Sequence, residues 1–100
     1  MATFYYSNRA EEDLYDIVLY IAIDNLAAAE RVDAAIEKTA QLLVDNPAVG
    51  RTVPSSLPDL MMFPVRDYRQ YLLFYQQQGN DIVIQRILHG ARDIPSLINT

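Results

Sequence analysis

The residues best suited to catalysis lie near the end of the chain, around its single histidine. His89 stands three positions after Arg86 and three before Arg92. An imidazole transfers protons near neutral pH and guanidinium groups bind phosphate, so these three residues could cleave RNA through its 2′-hydroxyl. Alternatively, His89 ends a strand and donates a hydrogen bond to nearby backbone, with Gly90 permitting the turn. A lone histidine in an acidic chain favours this structural interpretation.

A run of carboxylates near the start of the chain could also do chemistry: Glu11, Glu12, Asp13 and Asp16. Helical spacing puts Glu12 and Asp16 on one face, where they could bind a cation, but such a run is more typical of a solvated first helical turn. The sequence has no nucleophile-elbow serine, no glycine-rich phosphate loop, no metal-ligand spacing and no cysteine. We therefore predict no catalytic residue, no metal site and no cofactor.

The charges divide unevenly between the two halves of the chain. The whole chain of 100 residues has a net charge of −5. Residues 1–50 carry three cations against nine carboxylates, a net −6, whereas residues 51–100 carry five arginines against four carboxylates, a net +1. The acidic total argues against direct nucleic-acid binding through bulk electrostatics. An acidic partner is expected against the later arginines, which are Arg51, Arg66, Arg69, Arg86 and Arg92.

No stretch of the sequence resembles a targeting or membrane segment. The start lacks a basic region, charged residues interrupt it from Arg9 onward, and no apolar run approaches the roughly 18 residues that span a bilayer. Without cysteines, the composition is typical of a reducing compartment. We predict a soluble cytoplasmic protein with no membrane partner.

The first half of the chain predicts a short strand and two helices. Residues 3–7 are β-branched or aromatic and favour a strand. Asn8, with Glu11 three positions later, predicts the cap of a first helix over about residues 9–23; its apolar stripe is Leu14, Ile17, Val18, Ile21 and Ala22. Asp24 and Asn25 predict the cap of a second helix, which Asn46 and Pro47 end. So short a link implies an antiparallel helical hairpin.

After a loop that begins at Gly50, the apolar pattern takes the period of strands. Residues 60–65 predict a strand that Pro64 confines to an edge, a bulge or the strand end. Residues 69–77 and 81–88 predict two more, joined by the two-residue turn Gly79-Asn80. The order is β-α-α-β-β-β, which predicts an α+β fold: a helical hairpin packed on a small antiparallel sheet. We expect one domain over residues 1–100, in which residues 90–100 form one helical turn or remain loose, with residues 94–100 as the loose tail.

Consecutive methionines beside the proline-rich loop form the most distinctive apolar motif, Met61-Met62-Phe63. Methionine side chains adapt to many shapes, so this motif suits a groove that receives a partner helix. Core packing is the alternative interpretation.

Short motifs follow one another along the chain in the order found in one known family. They are Tyr6, residues 10–14, Ile17, residues 20–22, Asn46-Pro47, Gly50-Arg51, residues 63–65, Tyr68, Phe74-Tyr75, Ile84 and residues 86–93. Over roughly residues 4–94, this ordered set resembles the ParE toxins of the RelE/ParE superfamily. Residues 86–93 are the most specific motif.

The resemblance implies a toxin of a type II toxin–antitoxin system with the fold described above. ParE-like toxins are held inactive by a ParD-like antitoxin with an acidic C-terminal segment, in hetero-oligomeric complexes. Characterised members inhibit DNA gyrase and are not nucleases, whereas RelE-like relatives cut messenger RNA on the ribosome. A ribosomal nuclease needs many cations, and this chain has one lysine. A protein target is therefore favoured, with an endoribonuclease using His89, Arg86 and Arg92 as the minor alternative.

The candidate antitoxin- or target-binding residues combine the later arginines with the methionine motif and the histidine. They are Arg51, Met61, Met62, Arg66, Arg69, Arg86, His89 and Arg92. One of them departs from the family pattern, which commonly has an arginine after the position of Leu60, where this chain has Met61. The alternative hypothesis is accordingly a non-toxic or attenuated homologue that retains only antitoxin binding.

Overall fold

Two helices pack on a five-stranded sheet in the computed structural model, which describes residues 1–91 and residue 94. The helices are α1 (Asn8–Asp24) and α2 (Leu26–Asp45). The strands are β1 (Phe4–Tyr6), β2 (Arg51–Thr52), β3 (Met61–Pro64), β4 (Tyr71–Gln78) and β5 (Asp81–His89). The α+β fold and the helical hairpin are as predicted. Residues 92, 93 and 95–100, which include Arg92 and most of the predicted tail, lie outside the described residues.

The sheet order is β1-β5-β4-β3-β2. All neighbours are antiparallel except β1 and β5, which are parallel. The prediction of an antiparallel sheet was therefore wrong for β1. Nearly the whole chain separates β1 from β5, so no hairpin fixes their relative direction, and β1 joins the free edge of β5. β2 was also missed, because two residues are too short for an alternating pattern.

Side-chain caps fix where the two helices begin. Ser7 caps α1, since its hydroxyl accepts a hydrogen bond from Ala10 N at 3.1 Å. The prediction of Asn8 was thus one residue too late, and Ser7 stays outside the helix because its own N–H donates to the Ile84 carbonyl on β5. Asn25 caps α2 as predicted, accepting from Ala28 N at 3.0 Å.

Apolar side chains fill both faces of the sheet. Alternation along β4 directs Leu73 and Tyr75 toward the helices, where they join the larger core with Ile36 of α2. Phe74 points to the other face and forms a smaller core with Leu60 and Leu88. The loop before β3 and Ile94 cover this second core. Neither α1 nor α2 has the unbroken apolar length that a bilayer crossing demands.

The buried hydroxyl of Tyr75 holds the segment between α2 and β2 against the sheet. It donates to the Pro47 carbonyl at 2.8 Å and accepts from Gly50 N at 3.0 Å. A Cβ added at Gly50 would lie 2.5 Å from this oxygen and 2.8 Å from the Met62 carbonyl oxygen. Only glycine allows so close an approach at this position.

Gly50→Ala is accordingly expected to lower the free energy of unfolding by about 2 kcal/mol through overpacking, as measured by urea unfolding. Gly90→Ala is the matched control, because its nearest contacts would be ordinary ones at 3.6 Å and beyond. Adding Tyr75→Phe should not fully rescue Gly50→Ala, since the Met62 carbonyl remains. A Gly50→Ala protein as stable as the parent would contradict this packing.

Candidate functional site

The structure separates the candidate arginines into exposed and paired groups. Arg51 on β2, and Arg66 and Arg69 in the turn between β3 and β4, are exposed. Arg86 on β5 is largely buried, with 12% of its side chain exposed. The described residues therefore present three of the five later arginines to solvent.

Arg66 and Arg69 project from a turn that hydrogen bonds hold in shape. Within the turn, Val65 N donates to the Tyr71 carbonyl at 2.9 Å, and Asp67 adopts a left-handed conformation with φ of 71°. The buried Thr39 on α2 fixes the turn from outside, because its hydroxyl accepts from Arg66 N at 3.1 Å. Both guanidinium groups are thus attached to an ordered backbone.

A groove of about 470 Å³ lies beside this turn. Its lining residues are Phe63, Pro64, Val65, Arg66, Asp67 and Arg69. Half-buried apolar side chains from the end of β3 thus lie beside two exposed cations. Such a surface can bind a segment that combines apolar side chains with carboxylates. We call it the arginine groove.

Arg86 makes a bidentate ion pair with Asp13 on α1. Its Nε lies 2.7 Å from Oδ2, and its Nη2 lies 3.0 Å from Oδ1. The hydrogen bond to Asp13 raises the pKa of Arg86 above its ordinary value, outweighing the opposite effect of burial. Asp13 Oδ2 also accepts from Ile87 N at 3.0 Å, on the edge of β5 beyond the end of β1. The pair therefore ties α1 to the sheet.

This pairing corrects the interpretation of the carboxylate run as a solvated first turn. Glu11, Glu12 and Asp16 are exposed, but only 15% of the Asp13 side chain is. The sequence signal for the difference was slight: Asp13 adjoins Leu14 and lies one turn before Ile17, at the border of the apolar stripe. Within residues 1–91 and 94, no three carboxylate or histidine side chains form a group that could hold a metal ion.

His89 lies at the end of β5 beside Tyr71 of β4. The two rings meet edge to face, with centroids 5.6 Å apart. Ala91 N donates to Nδ1 at 3.0 Å, so the ring accepts a backbone hydrogen bond here, where the structural interpretation predicted that it donates one. Burial raises the pKa of Tyr71, and the nearby Tyr20 on α1 adds to the rise. The structure thus places His89 at the strand end that the structural interpretation gave it, exposed and in contact with the Tyr71 ring.

Met61 and Met62 lie on opposite faces of β3 and are both half-buried. Met61 packs against the larger core and Met62 against the smaller one. Arg51 stands opposite Met62 across the β2–β3 pair. The methionines thus supply core packing, and the structure does not combine them into one exposed surface.

The sequence matches the family model for the ParE toxin of type II toxin-antitoxin system, parDE, over residues 4–94. This chain belongs to the ParE toxin family. No curated protein gives a significant sequence match. A solved chain described as the chromosomal ParDE TA system from P. aeruginosa is similar in structure. It shares 23% identity with a TM-score of 0.69, over 89% of this chain and 95% of that chain.

In this ParE-family chain, two features of the structure were not predicted from the sequence. One is the role of Asp13 described above. The other is a set of exposed apolar side chains on α1, which includes Tyr15, Leu19 and Ile23. Their signal is present in the sequence, because α1 is apolar well beyond the single stripe that a two-layer fold needs.

Proposed function

We propose that this ParE-family protein is a toxin that acts by binding other proteins. In this proposal an acidic, ParD-like antitoxin holds it inactive in a hetero-oligomer, and DNA gyrase is its cellular target. Family membership supports the toxin role. The observation that supports protein binding is the arginine groove, where Arg66 and Arg69 are exposed on an ordered turn beside apolar walls.

The groove suits an acidic antitoxin segment for two physical reasons. Guanidinium groups make charge-assisted hydrogen bonds to carboxylates in a fixed fork geometry. In addition, Phe63 and Pro64 at the end of β3 are half-buried and line the groove, so they offer apolar contacts beside the two cations. An acidic segment can lie in this groove with its carboxylates toward Arg66 and Arg69.

The geometry gives little support to a ribonuclease. Arg86 is held by Asp13 and is not presented to a substrate, while His89 Nδ1 accepts a backbone hydrogen bond. The chain also has a single lysine, whereas RNA binding on the ribosome calls for many phosphate contacts. We therefore favour a protein target and assign no catalytic residue.

Induction of the toxin gene without its antitoxin tests this proposal. We expect arrested growth with filamentation, inhibition of gyrase supercoiling by the purified protein, and reversal of both effects by the small antitoxin encoded beside it. Primer extension on messenger RNA from induced cells should show no new cuts. Codon-phased cuts would instead support the ribonuclease alternative.

A Met61→Arg variant, measured beside the parent, tests the attenuated-homologue alternative. If restoring the family's common arginine creates toxicity that the parent lacks, the parent is an attenuated homologue. Equal toxicity in the two proteins supports the proposal, in keeping with the packing role of Met61. Normal growth and normal supercoiling with both proteins would overturn a toxin acting on gyrase.

A further inference from the structure

Thr39 buries a hydroxyl group within helix α2. The residue is 1% exposed, and Thr39 and Tyr75 are the only buried residues with a hydroxyl among residues 1–91 and 94. Burying a hydroxyl has an energetic cost that only hydrogen bonds offset, and threonine is a weak helix former. Neither core packing nor helix propensity therefore favours threonine at this position, and its hydrogen bonds must account for its role.

The two hydrogen bonds of this hydroxyl join two different elements. It donates to the Ala35 carbonyl at 2.7 Å, one turn earlier in α2, and it accepts from Arg66 N at 3.1 Å. The first bond directs the hydroxyl proton toward the helix backbone, so the oxygen lone pairs are left to accept the N–H of Arg66. Thr39 thus links α2 to the turn between β3 and β4, which carries both exposed arginines of the arginine groove.

The turn has a backbone conformation that needs such support. Asp67, next to Arg66, has a φ of 71°, in the left-handed region that costs free energy for a residue with a Cβ. Such a conformation persists where the surrounding contacts hold it. The N–H groups of Val65, Tyr68 and Tyr71 bond to carbonyls within the turn, whereas the Arg66 N–H bonds to α2. The bond to α2 therefore fixes the backbone directly beside the left-handed residue.

We infer that Thr39 is a positioning residue for the arginine groove. This inference rests on the proposed binding of an acidic antitoxin segment in that groove. At 1% exposure Thr39 offers a partner almost no surface, so it acts on binding through Arg66 and the turn. Its hydroxyl holds the turn in one conformation before the antitoxin arrives, and less binding free energy is then lost in ordering Arg66 and Arg69.

Replacing Thr39 with valine tests the inference, because valine keeps the shape of the side chain and removes its hydroxyl. In isothermal titration calorimetry with the antitoxin encoded beside the toxin, Thr39→Val should bind about tenfold more weakly than the parent. Thr39→Ser keeps the hydroxyl and should bind within about twofold of the parent. Ile36→Val is the matched control, because it removes a buried methylene one turn earlier on α2 and leaves the hydrogen bond in place. It should also bind within about twofold of the parent.

Hydrogen exchange followed by NMR tests the same contact in the toxin without a partner. Relative to the amides of β4, the Arg66 N–H should exchange about tenfold faster in Thr39→Val than in the parent. The comparison with β4 removes the effect of any change in global stability. In Thr39→Ser and Ile36→Val the Arg66 N–H should keep its protection.

The outcomes separate this inference from the proposed function of the groove. Unchanged affinity in Thr39→Val, with weakened binding by Arg66→Glu/Arg69→Glu, would overturn the inference and leave the groove as the antitoxin site. If both variants bind as the parent does, the antitoxin binds elsewhere and both proposals fail. Equal weakening by Thr39→Val and either Thr39→Ser or Ile36→Val would also overturn the inference, because the hydroxyl would not be the cause.

Discussion

Replacing Asp13 with alanine is expected to lower the free energy of unfolding by about 3 kcal/mol. The change leaves the largely buried Arg86 guanidinium without its anion, a loss that typically costs 3–5 kcal/mol at a buried site and less where water has some access. It also removes the acceptor for Ile87 N at the uncovered edge of β5. Both changes weaken the contact between α1 and β5 of the sheet.

Urea unfolding of a double-mutant cycle measures this effect. Asp13→Ala, Arg86→Ala and the double variant should give a coupling energy above about 1 kcal/mol, because the two side chains act through one bidentate contact. Glu12→Ala is the matched control, since it removes an exposed carboxylate from the next position and should change stability by less than about 0.5 kcal/mol. Equal, small effects of Asp13→Ala and Glu12→Ala would show that the pair contributes nothing.

Reversing the charge of Arg66 and Arg69 together is expected to weaken antitoxin binding about 100-fold, which corresponds to about 2.7 kcal/mol. The Arg66→Glu/Arg69→Glu variant lacks the two guanidinium groups that would hydrogen-bond to carboxylates of the antitoxin. The new glutamates would also repel those carboxylates. Both residues are exposed and make no ion pair among the described residues, so the fold should survive the change. Isothermal titration calorimetry with the cognate antitoxin measures the loss.

A matched double variant distinguishes a local contact from general attraction. Arg9→Glu/Arg31→Glu changes the net charge equally but acts on exposed residues of α1 and α2. It should leave the affinity within a few-fold of the parent. If both double variants weaken binding equally, the antitoxin is attracted by total charge and not by the arginine groove. If neither weakens binding, the antitoxin binds elsewhere.

Residue type proved a poor guide to the roles of the later arginines. From the sequence, Arg66, Arg69 and Arg86 were equivalent candidates for binding a partner. The structure separates them, since Arg86 faces an acidic residue 73 positions earlier in the chain, whereas the turn carries the other two into solvent. Where an arginine finds its carboxylate depends on which elements pack together, and local sequence does not contain that information.

Local sequence did predict the elements themselves. The apolar stripe of α1, the Asn25 cap and the Gly79-Asn80 turn each depend on neighbouring residues, and all are present. The wrong predictions concern residues whose backbone is held by a segment far away in the sequence. Ser7 replaces Asn8 as the cap because β5 holds its backbone, and β1 runs parallel to β5 because no short turn joins them.

By its own pattern, then, the sequence determined a helical hairpin, three antiparallel strands and membership of the ParE family, since periodicity, caps and motif order are properties of residues close together in the chain. Only the tertiary structure decided which charged side chains are exposed to solvent and which are buried in an ion pair. Ion pairs and exposure depend on contacts between elements far apart in sequence. That packing buries Asp13 with Arg86, leaves apolar side chains of α1 exposed, and places Arg66 and Arg69 beside one groove.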